Sequence, residues 1–265
     1  MEDKKERILC IGDIHGNHRG LLQCLERCNF DNKTDTLISL GDVVDGHCDS
    51  FEVIEELLKI KNLITVKGNH DDWFNTWIET GINPSNWQQG QKATGLSYLK
   101  HSRPNIPWLG ANNELTGFEP SILSNDIPDR HIEFFKNQND YYLDDNNRLF
   151  VHGGFNRHER LEEQGDILWW DRDLWSQALS YGNMSAVEGI AHPKFKMVGD
   201  YKEVFIGHTP TQFWKQDEPM NAANIWNIDT GAGMYGKLTI MDVKTKEYWQ
   251  SDKGSELYPE FKGRS

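Results

Sequence analysis

TLISLGDVVDGH, Thr36 to His47, decides how the rest of the chain is read. The apolar run Thr36-Leu37-Ile38-Ser39-Leu40 has the length and composition of a buried strand, and it passes directly into Gly41-Asp42. A second carboxylate, Asp45, follows three positions later, again beside a glycine. The turn carries two acids and no lysine or arginine, so whatever balances them has to come from elsewhere in the fold or from an ion.

Outward from that segment, the first third of the chain alternates strand and helix. Strands are predicted at Arg7–Gly12, Thr36–Leu40 and Leu63–Val66, with helices at about Arg19–Cys28 and Ser50–Ile60 between them. Leu21, Leu22, Leu25 and Cys28 are assigned to one helical face, and Phe51, Ile54, Leu57 and Leu58 to another, so that each helix can cover a sheet. A βαβαβ order implies parallel strands and an α/β fold. From about residue 72 to 140 the periodicity weakens and Trp, Asn, Gln, Pro and Gly accumulate. This stretch reads as a mostly helical insertion beside the site, with helical fragments near 72–79, 88–99 and 127–137. Strands resume at Arg148–Val151, Glu203–Ile206, Ile225–Ile228 and Lys237–Val243, the last two expected as an antiparallel pair joined through DTGAGMYG. With 265 residues and no repeat, a single domain over 1–265 is expected.

The net charge of −13 and a pI near 5.2 argue against non-specific nucleic-acid binding, which draws its affinity from a basic surface. An anionic substrate would need its counter-charge concentrated locally, in arginines or metal ions. Cys10, Cys24, Cys28 and Cys48 make no CxxC pair, which fits free thiols in a reducing, cytoplasmic compartment. Cys24 and Cys28 are read as packing residues rather than ligands. No apolar stretch approaches the ~20 residues needed to cross a bilayer, so no membrane partner is expected.

Five strand ends share one character: GDIHGN at Gly12–Asn17, GDVVDG at Gly41–Gly46, GNHDD at Gly68–Asp72, VHGG at Val151–Gly154 and GHTP at Gly207–Pro210. Any one alone is commonly a helix cap, a turn or a hydrogen-bonded histidine. Ligands of open α/β sheets bind beyond the carboxyl ends of the strands, so five such segments in one chain converge on one place. Crowded carboxylates and imidazoles without a cation would be repelling and desolvated, which makes metal the economical explanation. Asp13, His15, Asp42, Asn69, His152 and His208 offer oxygen and nitrogen but no thiolate. That donor set suits manganese, iron or zinc in an open two-metal site with a water activated for attack.

In this order the motifs GDxHG, GDxxDG, GNHD, HGG and GHT resemble the calcineurin-like metallophosphoesterases, and within them the phosphoprotein phosphatase branch of bacterial and phage enzymes. The likeness extends to DILWWDRDL at Asp166–Leu174, to FIGHTP and to NIDTGAGMYGKLTIMDV, while the middle of the chain matches nothing in the family pattern. The resemblance implies central mixed β-sheets forming a β-sandwich flanked by helices. It also implies two divalent metal ions. Asp13 and His15 would hold the first, Asn69, His152 and His208 the second, and Asp42 would bridge both. His70 would be the general acid, with Asp45 orienting it and favouring its charged form. The implied reaction is hydrolysis of phosphoserine or phosphothreonine by metal-activated water, in the manner of a serine/threonine protein phosphatase with manganese as the preferred ion. GHxH, usual in nuclease-like and cyclic-nucleotide members, is interrupted here by Pro210. The tyrosine ligand of purple acid phosphatases is missing where Val44 and Asp45 stand.

The resemblance breaks at one point. The branch reads DRG where this chain reads Asp45-Gly46-His47, and that arginine grips the substrate phosphate. Arg172, shifted by one residue from a second family arginine, is the first candidate to replace it, followed by Arg157 and His47; imidazole is a poor substitute for a bidentate guanidinium. Asp71 and Asp72 keep the acidic character that follows the GNH motif. Of the ten tryptophans, Trp73, Trp77, Trp87 and Trp108 fall in the insertion and are expected to pack its core. A symmetrical dinucleoside polyphosphate is the alternative substrate, since hydrolases of that class share these motifs. A non-catalytic scaffold is disfavoured, because all six ligand positions and His70 are present.

Overall fold

The structure is a computed structural model that describes residues 6–87, 89–103, 122–185 and 195–260. The first sheet contains β1 (Ile8–Ile11), β2 (Thr36–Ser39) and β3 (Leu63–Thr65), paired in parallel and connected through α1 (His18–Arg27) and α2 (Ser50–Leu57). The chain then passes through α3 (Asn69–Thr80), α4 (Gln91–Ser102) and α5 (Asp129–Lys136) before building a second sheet. That sheet uses β4 (Tyr141–Leu143), β5 (Arg148–Val151), β6 (Glu203–Ile206), β7 (Met220–Ala222) and β8 (Ile225–Asn227), with α6 (Ile167–Trp170) and α7 (Asp173–Ser185) between β5 and β6. Finally β9 (Thr239–Asp242) and β10 (Tyr248–Gln250) return to the first sheet, followed by the single turn α8 (Gly254–Leu257). The strand orders are β10-β9-β1-β2-β3, with the parallel strands β1, β2 and β3 at one side and antiparallel pairing at β9 and β10, and β4-β5-β6-β8-β7, with parallel strands at the centre and an antiparallel strand at each edge.

Both sheets are covered on both faces, which is why their strands read as continuous apolar runs. Strand alternation sends Leu9 and Ile11 outward to the helical layer, where they pack with Leu21, Cys24, Val53 and Leu57, and sends Cys10 and Ile38 inward. In the second sheet Leu149, Val151, Val204 and Ile206 face Leu174, Trp175 and Ala178, while Phe150 and Phe205 stack at 4.9 Å in the layer between the sheets. The result is a β-sandwich with helices on its outer faces, as the family resemblance implies.

Several details depart from the sequence reading. β8 and β9 do not pair: β8 lies beside β6 in the second sheet and β9 beside β1 in the first, so DTGAGMYG carries the chain from one sheet to the other. Leu22 is 42 % exposed and Leu58 40 % exposed. Successive helical residues are rotated by about 100°, so Leu21, Cys24 and Cys28 form the inward stripe of α1 and Leu22 falls outside it. The short strands β4, β7 and β10 and the helix α7 were not anticipated. Trp108 lies outside the described residues. Cys24 and Cys28 are buried, with burial pushing their thiols up to about 12 and about 11, and each Sγ–H donates to a backbone carbonyl. Among the described residues no helix is long and apolar enough to cross a membrane.

Candidate metal centre

The parallel strands β1, β2, β3, β5 and β6 all end at one rim, and the five polar segments lie there. The loops dock on one another through backbone hydrogen bonds. The Ile14 and His15 amides donate to the Asp42 carbonyl at 3.1 and 2.8 Å, and the Gly207 amide donates to the His152 carbonyl at 2.8 Å. Asn17 closes the first loop by accepting from the Gly20 amide at 2.8 Å, which caps α1. α3 begins inside the GNHD motif, so its first-turn amides point into the cluster and the His70 amide donates to Asp42 Oδ1 at 2.9 Å. His15, Asp42, Asp45 and His208 all have positive φ, between 49° and 66°, a backbone region that aspartate and histidine enter more readily than most residues. Strain of this kind gathers where surrounding structure holds a site in place.

Two groups of donor atoms result, Asp13–His15–Asp42 and Asp42–His152–His208, each with its atoms within 4.8 Å of one another. Asp42 belongs to both. Asn69 joins the second group, its Oδ1 lying 3.2 Å from His152 Nε2. His15 Nδ1 donates to the Val44 carbonyl at 3.0 Å and His152 Nδ1 to the Leu40 carbonyl at 2.7 Å, which turns both Nε2 atoms toward the cluster. All six residues are buried.

The residues fit divalent metal. Asp42 Oδ2 and His208 Nε2 are buried without a hydrogen-bond partner, an arrangement that is costly unless another ligand completes it. Burial, reinforced by neighbouring Asp229 and Asp42 and partly offset by His152, pushes the Asp13 carboxyl well above its usual range. Burial opposes ionisation of Asp42 too, but His152, His70 and His15 together hold it well below that range. For His152, burial is overcome by Asp42 and Asp13, which raise it to about 9. Burial, with His152 and Arg172 beside it, lowers His208 well below the normal histidine value. These opposed shifts describe acids and imidazoles packed too closely to share one charge state comfortably, which cations relieve.

At the edge of the cluster His70 Nδ1 donates to Asp45 Oδ2 at 2.7 Å, and its ring stands edge-on to His15 at 5.0 Å and to Trp73 at 4.9 Å. Asp71 ties the GNHD turn to the GDVVD turn by accepting from the Val43 amide at 2.9 Å, the Gly68 amide at 3.1 Å and Gln138 Nε2 at 2.9 Å. Burial and the Asp42 charge raise the Asp71 carboxyl to about 6.

The three candidates for the missing arginine are placed differently. Arg172 lies beside the cluster, its Nη1 donating to the His208 carbonyl and to Thr209 Oγ1, both at 2.9 Å. Arg157 is held by Gln177 Oε1 at 2.8 Å and the Lys196 carbonyl at 2.7 Å, over the Phe195 ring. His47 is buried, bonded through Nε2 to the Ala232 carbonyl at 2.9 Å and stacked on Tyr258, and burial lowers its pKa. A neutral, enclosed imidazole cannot replace a guanidinium fork. An arginine at position 46 itself would be strained: Gly46 has φ 109°, and a Cβ there would sit tightly at 3.0 Å from the His15 carbonyl oxygen and 3.1 Å from His15 Cβ. Gly46→Arg is therefore expected to destabilise the protein by ~1–3 kcal/mol without lowering KM for phosphate esters. Thermal unfolding and steady-state kinetics of that variant check both halves.

The sequence reading missed Asp229, which follows β8 at the same rim and is buried beside Asp13. Its signal was the strand Ile225–Ile228, apolar but for Asn227, running into an acid, the pattern used for the other five. Of the insertion tryptophans, weighed as stacking surfaces but expected mainly as core, Trp77 and Trp87 are in the buried core and Trp73 packs against it. Two of them also reach the site: Trp73 touches His70, and Trp87 donates through Nε1 to Asp45 Oδ2 at 2.6 Å.

The profile of the calcineurin-like phosphoesterase family matches residues 6–212. This chain is a calcineurin-like phosphoesterase. The phosphoesterase is 28 % identical over 258 residues to serine/threonine-protein phosphatase 2 of Salmonella typhimurium, covering 91 % of this chain and 95 % of that protein. It is 39 % identical over 280 residues to a symmetrical bis(5'-nucleosyl)-tetraphosphatase of Coxiella burnetii, with 91 % of each covered. A solved structure of a putative diadenosine tetraphosphatase superposes with a TM-score of 0.61 at 15 % identity, covering 96 % of both chains, and so supports the fold. The phosphoesterase is thus a metal-dependent hydrolase of phosphate esters, with relatives named for two substrate classes.

Proposed function

We propose that this phosphoesterase is a phosphomonoesterase of phosphoserine and phosphothreonine in proteins, working with two divalent ions of which manganese is the preferred one. Asp13 and His15 would hold one ion, Asn69, His152 and His208 the other, and Asp42 would serve both. When bound, the ions supply an activated water and positive charge facing the phosphoryl oxygens. Arg172, beside His208, adds a guanidinium at the same rim to orient the phosphate. His70, steered by Asp45 through Nδ1, presents Nε2 to the departing oxygen and gives it a proton.

The observation that carries this reading is the buried His70–Asp45 pair at 2.7 Å, adjoining the ligand cluster through the His70 amide on Asp42. An alkoxide of serine or threonine is a poor leaving group and gains most from a positioned acid. A nucleotide phosphate leaves more easily and gains less. The protein-phosphatase relative supports the same substrate class.

A second reading is favoured by one contact. Trp73, against His70, also meets Trp170 with ring centroids 5.0 Å apart, and Trp170 is 6.0 Å from His208 and 38 % exposed. Paired indoles spanning the two sides of the centre could stack a nucleobase, which suits a dinucleoside polyphosphate such as the Coxiella relative's named substrate. The two readings are separated by comparing kcat/KM for a phosphoserine peptide and for diadenosine tetraphosphate at equal enzyme concentration with manganese. The proposal expects the peptide to be preferred by tenfold or more; preference for the dinucleotide overturns it.

A further inference from the structure

The Asp45 carboxylate serves more than His70. Its Oδ2 accepts from His70 Nδ1 at 2.7 Å and from Trp87 Nε1 at 2.6 Å, and its Oδ1 accepts from Thr94 Oγ1 at 2.7 Å. Thr94 Oγ1 in turn accepts from the Asp45 amide at 2.9 Å. Asp45 and Thr94 are fully enclosed, and His70 and Trp87 are 2 % and 4 % exposed. Both added donors come from the insertion, 42 and 49 residues along the chain. Between them Gly90, at φ 82°, lies so close to the Asp45-Gly46 turn that a Cβ on it would stand 2.5 Å from the Gly46 amide nitrogen. Trp87, Gly90 and Thr94 therefore lie against the turn where the family pattern has an arginine.

An indole N–H can only donate, and an ionised carboxylate can only accept, so these bonds have one sense. With the carboxylate held at both oxygens in a buried site, its rotation is restricted, and so is the swing of the imidazole bonded to it. Charge-assisted bonds of this kind are the stronger class, and enclosed networks hold geometry more tightly than single pairs.

We infer that Trp87 and Thr94 are positioning residues through which the insertion fixes Asp45, and thereby aims His70 Nε2 at the leaving oxygen. The inference rests on the reading of His70 as the acid. Its consequence is selective: a misaimed acid slows esters with poor leaving groups and spares those whose leaving group departs without a proton.

The test uses the full manganese-loaded chain, the variants Trp87→Phe, Thr94→Val and Thr94→Ser, and a series of aryl phosphates from dinitrophenyl to phenyl phosphate. Trp87→Phe and Thr94→Val are expected to lower kcat on phenyl phosphate roughly tenfold or more and on dinitrophenyl phosphate by less than about threefold, with KM and metal content unchanged. Thr94→Ser keeps the wild-type pattern. In the metal-free protein, NMR is expected to show faster solvent exchange of the His70 Nδ1 proton in Trp87→Phe and Thr94→Val. A uniform loss across the series, or no loss, overturns the positioning role. His70→Asn run in parallel separates the two levels: if its own loss is uniform across the series, the acid reading fails; if its loss is selective while the Trp87 and Thr94 variants stay flat, only the positioning role fails.

Discussion

Replacing Asp42 with asparagine is expected to lower phosphate release about a thousandfold or more, equivalent to ~4 kcal/mol of transition-state stabilisation. Asp42 is the one residue common to both donor groups, and its Oδ2 lies 3.5 Å from His15 Nε2 and 3.4 Å from His152 Nε2. The substitution removes the charge that balances those imidazoles while leaving the volume almost unchanged. The asparagine carbonyl can still accept the His70 amide bond, so the fold is retained and the loss falls on the centre. Phosphate release from an aryl phosphate with manganese, alongside a thermal unfolding curve, measures both consequences. Turnover near the wild-type value would remove Asp42 from the mechanism.

His70→Asn is expected to have the second largest effect, a loss of about 10²–10⁴ on a phosphoserine peptide and much less on a dinitrophenyl ester. Its side chain takes no part in either donor group, so metal content should stay at the wild-type level. The contrast between the two variants is what distinguishes a proton donor from a ligand. Asp42→Asn fails on every ester, whereas His70→Asn fails in proportion to the basicity of the leaving group. Equal losses on both esters would assign His70 to binding instead.

The centre was legible in the sequence because its chemistry sits in short local motifs. Asp13, Asp42, Asn69, His152 and His208 each follow an apolar strand, and a parallel sheet brings strand ends together whatever the details of packing. The strands themselves were legible for a related reason: with helices on one face and a second sheet on the other, β1, β2, β5 and β6 each carry consecutive apolar residues pointing to both faces. That same property hid the division into two sheets, since nothing in Ile225–Ile228 or Lys237–Val243 states which partner each strand takes. The glycine-rich link suggested a hairpin, yet it spans the sandwich.

The insertion was the least legible part. Trp87 and Thr94 meet Asp45 only because α3 and α4 fold back over the GDVVDG turn, and no periodicity or spacing encodes contacts between residues 42 and 49 positions apart. Gly46 posed the opposite problem. The missing arginine was plain from the sequence, but its physical reason, a left-handed turn pressed against His15 and closed by Gly90, is visible only in three dimensions. Arg172 could be ranked above Arg157 and His47 by motif register. Its bonds to the His208 carbonyl and Thr209 place it beside the cluster, while His47 is enclosed beneath Tyr258.

The central claim is that these buried acids and imidazoles form one dinuclear centre organised on Asp42. It is tested most directly by titrating the metal-free protein with manganese, following bound metal and phosphate release on the same samples, for the wild type and Asp42→Asn. The account predicts two ions per wild-type chain, activity that rises with occupancy, and a variant that loses metal and turnover together. Full activity in the presence of a chelator, or two tightly held ions in Asp42→Asn, would contradict it.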